Sequence, residues 1–144
     1  MGKKRIVKKS GSTVNEGLRA RALSRSARKK VDRGTLNVQA TYNNTLVTLT
    51  DKKGNTLMQS SAGSLGFKGA KKSTPFAAAK VGELVAERAL QMGMNEVDVV
   101  IRGVGAGRES AMRSFAAKGI SITAIRDATP VPFNGPRARK PRRV

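Results

Sequence analysis

From Thr35 the chain alternates apolar and polar residues with a period of two: Leu36, Val38, Ala40 and Tyr42 on one face, Thr35, Asn37, Gln39 and Thr41 on the other. That period predicts a half-buried strand. Asn43-Asn44 is expected to make a two-residue turn, because Asn tolerates positive φ. Thr45–Thr50 (TLVTLT) follows as a second, β-branched strand, Asp51-Lys52-Lys53-Gly54 as another turn, and Asn55–Ser61 as a third strand. A Gly/Ser/Lys-rich loop, Ala62–Ser73, leads to Thr74-Pro75, where Thr74 reads as a helix N-cap and Pro75 as its first residue. The helix is expected to run to about Met92, with Ala78, Val81, Leu84, Val85, Ala89 and Met92 inward and Gly93 as its stop. Val97–Val104 predicts a strand, Arg108–Lys118 a second helix ended by Gly119, and Ile120–Arg126 a last strand. The order β-β-β-α-β-α-β reads as an α/β sandwich on a mixed five-stranded sheet.

Composition changes the picture at both ends. Lys and Arg number 29 against 9 acids, a net charge of +20 over 144 residues. Residues 1–33 hold 12 Lys and Arg against two acids, and residues 129–144 hold five against none, so most of the excess lies in the arms. The expected organisation is a basic N-terminal arm (1–33), disordered when free, a globular domain (34–128) and a basic Pro-rich tail (129–144). Within the first arm, Glu16–Lys30 is rich in good helix formers but carries Arg on most faces, so a helix there is expected to need phosphates. A presequence is the alternative, but the arm is Lys-rich early and shows no clear apolar stripe. In the tail, Pro130, Pro132, Pro136 and Pro141 favour extended backbone, a cationic strip suited to following a nucleic-acid groove or serving as a solubilising tail.

Cys and His are absent, which removes disulfides, thiol chemistry, His acid–base work and most transition-metal sites. No run approaches the ~18 apolar residues of a membrane span. No apolar stretch follows the first lysines, as a secretory signal requires, and Ile6 stands where a myristoylation signal needs Ser or Thr. A soluble, intracellular polyanion binder is expected, with no cofactor and no membrane partner. Asp51, Asp98 and Asp127 suggest a metal-dependent nuclease only weakly, since nothing in their spacing makes them converge; no enzyme is expected.

Two loops invite phosphate. Gly103-Val104-Gly105-Ala106-Gly107 precedes a helix N-terminus, where backbone N–H groups and the helix dipole favour anions, and Arg108 follows immediately. It is neither the dinucleotide fingerprint nor a P-loop, and a merely tight connection is the competing reading. The second loop brings Lys68, Lys71 and Lys72 to the start of the first long helix, beside Phe67, which either stacks on a base or packs in the protein.

Several of these segments form an ordered series. Tyr42-Asn43-Asn44-Thr45, Gly66-Phe67-Lys68-Gly69, Lys72-Ser73-Thr74-Pro75-Phe76-Ala77-Ala78, Gly105-x-Gly107-Arg108-Glu109-Ser110-Ala111, Asp127-x-Thr129-Pro130-x-Pro132-x-Asn134-Gly135 and Arg142-Arg143-Val144 occur in that order. The chain resembles the small-subunit ribosomal protein S11 (uS11) family over about residues 34–144. The family's prolines in the glycine loop are Val104 and Ala106 here, its usual His is Phe133 and its usual Cys is Pro136. The resemblance implies a ribonuclease-H-like three-layer α/β fold without nuclease chemistry. It also implies a place on the small-subunit platform near the messenger exit path, on a cytoplasmic or organellar ribosome. The implied partners are small-subunit ribosomal RNA and neighbouring platform proteins, with messenger RNA a further candidate. The expected RNA-binding residues are Lys8, Lys9, Arg28, Lys29 and Lys30 in the first arm, Asn43 and Asn44 in the turn, Lys68, Lys71 and Lys72, then Gly105, Gly107 and Arg108. Asn134, Arg137, Arg139, Lys140, Arg142 and Arg143 complete the set in the tail.

Overall fold

The computed structural model describes residues 16–24, 30–141 and 143. Its elements are α1 (Glu16–Ser24), β1 (Arg33–Ala40), β2 (Thr45–Asp51), β3 (Thr56–Ser61), a 3-10 turn (Gly69–Ser73), α2 (Pro75–Gln91), β4 (Glu96–Gly103), α3 (Gly107–Ala116) and β5 (Ser121–Asp127). The strands form one mixed sheet in the order β3-β2-β1-β4-β5. β1 pairs antiparallel with β2 and parallel with β4, β2 antiparallel with β3, and β4 parallel with β5.

The alternation in β1 becomes a real division of faces. Leu36, Val38 and Ala40 are buried, while Asn37 is half-buried and Gln39 exposed. Val47 and Leu49 of β2 and Val97, Val99 and Ile101 of β4 join the same core. α2 lies over them with Ala78, Val81, Leu84 and Val85, and α3 with Ala111 and Phe115. Thr74 caps α2 as its sequence suggests, its hydroxyl accepting from Ala77 N at 3.3 Å, with Pro75 in the first turn. The two helices approach so closely at Gly82 that a β-carbon there would sit 2.4 Å from the Ala111 carbonyl oxygen.

The layering differs from the expected three. The chain steps from β3 to β4 and from β4 to β5 in the same direction across the sheet. Right-handed crossovers then place both connecting helices on one face. Among the described residues the fold is therefore two layers, sheet and helices. On the opposite face Asn37, Thr48 and Asp98 are half-buried and Gln39, Gln59 and Arg102 exposed.

Two local expectations also shift. β1 ends at Ala40, so Tyr42 leaves the apolar face and is 76% exposed. The β1–β2 connection is a four-residue loop closed by Thr41 N to Asn44 O at 2.9 Å. The Thr41 hydroxyl braces it, accepting from Asn44 N at 3.1 Å and donating to Asn44 O at 3.0 Å. That bracing makes left-handed backbone unnecessary, and Asn134 is the only non-glycine with positive φ among the described residues. α1 packs against α2 through two side chains. Arg19 pairs with Glu87 of α2 at 2.5 Å, and the buried Arg88 donates to the Leu23 carbonyl oxygen at 3.1 Å. A cation on the last carbonyls of a helix is favoured by hydrogen bonding and by the dipole together.

Candidate nucleic-acid interface

β1, β3, β4 and β5 all run in one direction, so their carboxyl ends share one edge of the sheet. Ala40 lies opposite Gly103, Ile101 opposite Asp127, and Leu46, which pairs with Gln39, also pairs with Ser61. That edge therefore gathers the β1–β2 loop with Asn43 and Asn44, the lysine loop after β3, the glycine loop after β4 and the tail after β5. The amino ends of α2 and α3 open there too. In open α/β sheets this edge is where ligands ordinarily bind.

The lysines fit that position. Lys68 and Lys71 are exposed and Lys72 is half-buried around the 3-10 turn. Their order comes from Phe67 beside them, which is 7% exposed and meets the Phe76 ring edge-on at 6.2 Å. Phe67 thus belongs to the core, and the stacking reading fails for it. Of these two rings Phe76 is the one that the fold leaves open, 53% exposed with Lys80 Nζ 5.7 Å from its ring centre. Its place at the second position of α2 signals this, because a residue in the first turn can point off the end of the core.

The glycine loop is a packing device. A β-carbon on Gly103 would lie 2.1 Å from the Ala40 carbonyl oxygen, one on Gly105 2.3 Å from that of Thr41, and one on Gly107 2.3 Å from Thr45 Oγ1. Gly105 and Gly107 are buried, and Gly105 N already donates to Ala40 O at 3.0 Å. The expected offer of the Gly105 N–H to phosphate is corrected accordingly, since that donor is spent inside the fold. Asn44 Oδ1 and Thr45 Oγ1 are buried without a hydrogen-bond partner where this loop presses on the turn.

Arg108 is likewise turned inward. Its guanidinium donates to the Gly103 carbonyl oxygen, to Thr129 Oγ1 at 3.1 Å and to the Asp127 carboxylate. Thr129 closes the same cluster: its N–H and its hydroxyl donate to Asp127 Oδ1 at 2.9 and 2.6 Å. Hydrogen bonds from Thr129, then from Arg108, hold the Asp127 carboxyl down to about 2. Asp51 is also in structural use, accepting from Lys53 N and Asn55 N at 2.9 and 2.8 Å. Among the described residues no group of three or more acidic side chains is placed to hold a metal ion.

In the tail, Asn134 adopts φ 52°, and Arg137, Arg139, Lys140 and Arg143 are exposed, as is Phe133 at 97%. Lys30 is exposed beside β1. Lys8, Lys9, Arg28, Lys29 and Arg142 lie outside the described residues. Two cations escaped the sequence reading: Arg102, paired in register with Gln39, and Arg126, paired with Val100, both on the open face of the sheet. Strand alternation alone could have placed them there. No helix among the described residues is long and apolar enough to cross a membrane. Residues 34–143 match the family model described as ribosomal protein S11.

Proposed function

The chain belongs to the ribosomal protein S11 family, and from that premise we propose that it sits on the platform of the small subunit and helps shape the messenger exit region. As a member of the family it is a structural constituent of the small ribosomal subunit and binds ribosomal RNA. The family is structural rather than enzymatic. The observation that carries the finer reading is the shared edge, where Lys68, Lys71 and Lys72 stand with the start of the tail at the carboxyl ends of four strands.

The body presents the lysine loop and the β1–β2 loop as fixed points, and the tail extends that surface with Arg137, Arg139, Lys140 and Arg143. Structured RNA offers phosphates, 2′-hydroxyls and open loops rather than a readable major groove, so recognition rests on charge and shape. Neighbouring platform proteins are the further partners of this reading, and messenger RNA a passing one. Each neutralised phosphate contributes ~0.7–0.9 to the slope of log affinity against log salt.

The test is binding to in vitro transcribed small-subunit ribosomal RNA across salt, with full-length chain and a chain ending at Pro136. Deleting residues 137–144 is expected to flatten the slope by ~2–4, because five cations go. Equal slopes would refute the tail as a phosphate-binding arm. Photo-cross-linking from Lys68 and Phe133 tests the platform: cross-links are expected in the RNA's central domain, and cross-links elsewhere would refute that placement.

A further inference from the structure

We propose that Arg108 is a positioning residue, not a phosphate ligand: with Asp127 and Thr129 it forms a latch that fixes the direction in which the C-terminal tail leaves the sheet. One guanidinium reaches three acceptors on three segments, the Gly103 carbonyl oxygen at the end of β4, the Asp127 carboxylate at the end of β5 and Thr129 Oγ1 at the first residue of the tail. The Thr129 hydroxyl is fully used. It donates to Asp127 Oδ1 at 2.6 Å and accepts from Arg108 Nη1 at 3.1 Å and from Gly103 N at 3.2 Å. Ala128 N, just before it, donates to Ile101 O at 2.9 Å, so the sheet hydrogen bonding continues into the latch.

The latch matters because the tail beyond it is stiff. Pro130 confines Thr129 to extended backbone, and Pro132 and Pro136 stiffen the next residues. An extended proline-rich segment advances ~3.1 Å per residue and keeps its direction over several residues. An orientation set at Thr129 therefore carries through Pro132 to the bend at Asn134 (φ 52°), where Gly135 packs against Pro132, and so fixes where the cations from Arg137 onward begin. Holding the arm in one direction raises the effective concentration of its cations at their phosphates without adding a contact. Arg is required rather than Lys, because only the planar fork serves several acceptors in fixed directions.

This inference rests on the tail's RNA role proposed above, so the experiment reads the latch twice, once without RNA. In the free full-length protein, amide hydrogen exchange at Thr129 is expected to be slowed, and Arg108→Lys and Thr129→Val to speed it about tenfold, the loss of one to two hydrogen bonds. Unchanged exchange would overturn the latch. Affinity for in vitro transcribed small-subunit ribosomal RNA is then measured for each variant in full-length chain and in chain lacking residues 137–144. A loss of about five- to twentyfold in the full-length chain and under about twofold in the shortened one is expected for a residue acting through the tail. An equal loss in both backgrounds, or rescue of affinity by Arg108→Lys, would mean that Arg108 meets RNA directly and would overturn the proposal. Thr129→Val leaves the guanidinium in place, so a phosphate contact predicts no loss from it. If exchange responds but the deletion itself changes neither affinity nor salt slope, the tail's RNA role fails while the latch stands.

Discussion

Gly105→Ala separates a glycine kept for phosphate from one kept for packing. The added β-carbon would stand 2.3 Å from the Thr41 carbonyl oxygen, 2.9 Å from its carbon and 3.0 Å from the Ala40 carbonyl carbon, all backbone atoms. No rotamer change relieves such a clash, so the glycine loop and the β1–β2 loop must part by about 1 Å to reach ordinary contact. Overpacking of this kind costs ~1–3 kcal/mol. The separation also stretches the 3.0 Å bond from Gly105 N to Ala40 O, a further ~0.5–1.5 kcal/mol. Against this, replacing Gly restricts the unfolded chain and returns ~0.4–1 kcal/mol. The net loss is ~1–3 kcal/mol, a large share of the ~5–15 kcal/mol that holds a domain together. Urea unfolding followed by circular dichroism reads it directly: with a slope of ~1–3 kcal/mol per molar the midpoint falls by roughly 1 M. RNA affinity of the folded variant is expected to change much less than its stability. A variant that unfolds at the wild-type midpoint yet binds RNA weakly would refute the packing account and restore the glycine to phosphate.

Three other outcomes are expected from the geometry. Gly82→Ala, although it improves helix propensity by ~1 kcal/mol, is expected to lower the thermal midpoint, because its β-carbon meets the Ala111 carbonyl oxygen at 2.4 Å; a raised midpoint would refute the close α2–α3 approach. Burial pushes the Glu87 carboxyl up, but hydrogen bonds and charge from Arg19 and Lys118 outweigh it and leave the group below its ordinary range. Glu87→Gln is therefore expected to speed amide exchange in α1 while costing the fold at most ~1 kcal/mol, as partly exposed pairs do; unchanged exchange would show that Glu87 does not hold α1. Asp127, depressed to about 2, contributes its stabilisation fully above the ordinary carboxylate range and loses it as pH falls from about 4 through about 2. Exchange at Thr129 should accordingly stay slow, relative to the intrinsic rate, down to about pH 4 and quicken below it, and loss already at pH 6 would refute the ion pair.

The strands and the two long helices, in their order, are legible in the chain alone, because period-two alternation in 35–41, β-branched runs and the Thr74-Pro75 start are local signals that the fold obeys. The chemistry class is legible too, since 29 cations without Cys or His leave little besides anion binding. What each polar group does depends instead on contacts between segments far apart in the chain. Arg108 and Gly105 look free in the sequence, but their partners, Asp127, Thr129 and Ala40, are remote in the chain and arrive only when β1, β4 and β5 lie side by side. Phe67 and Phe76 are alike in sequence, yet one is buried and the other open, because burial depends on where the helix start meets the loop. The layering was likewise not local: each strand and helix can be read alone, but the face on which a helix lands depends on the direction of its crossover and on the hand of the chain.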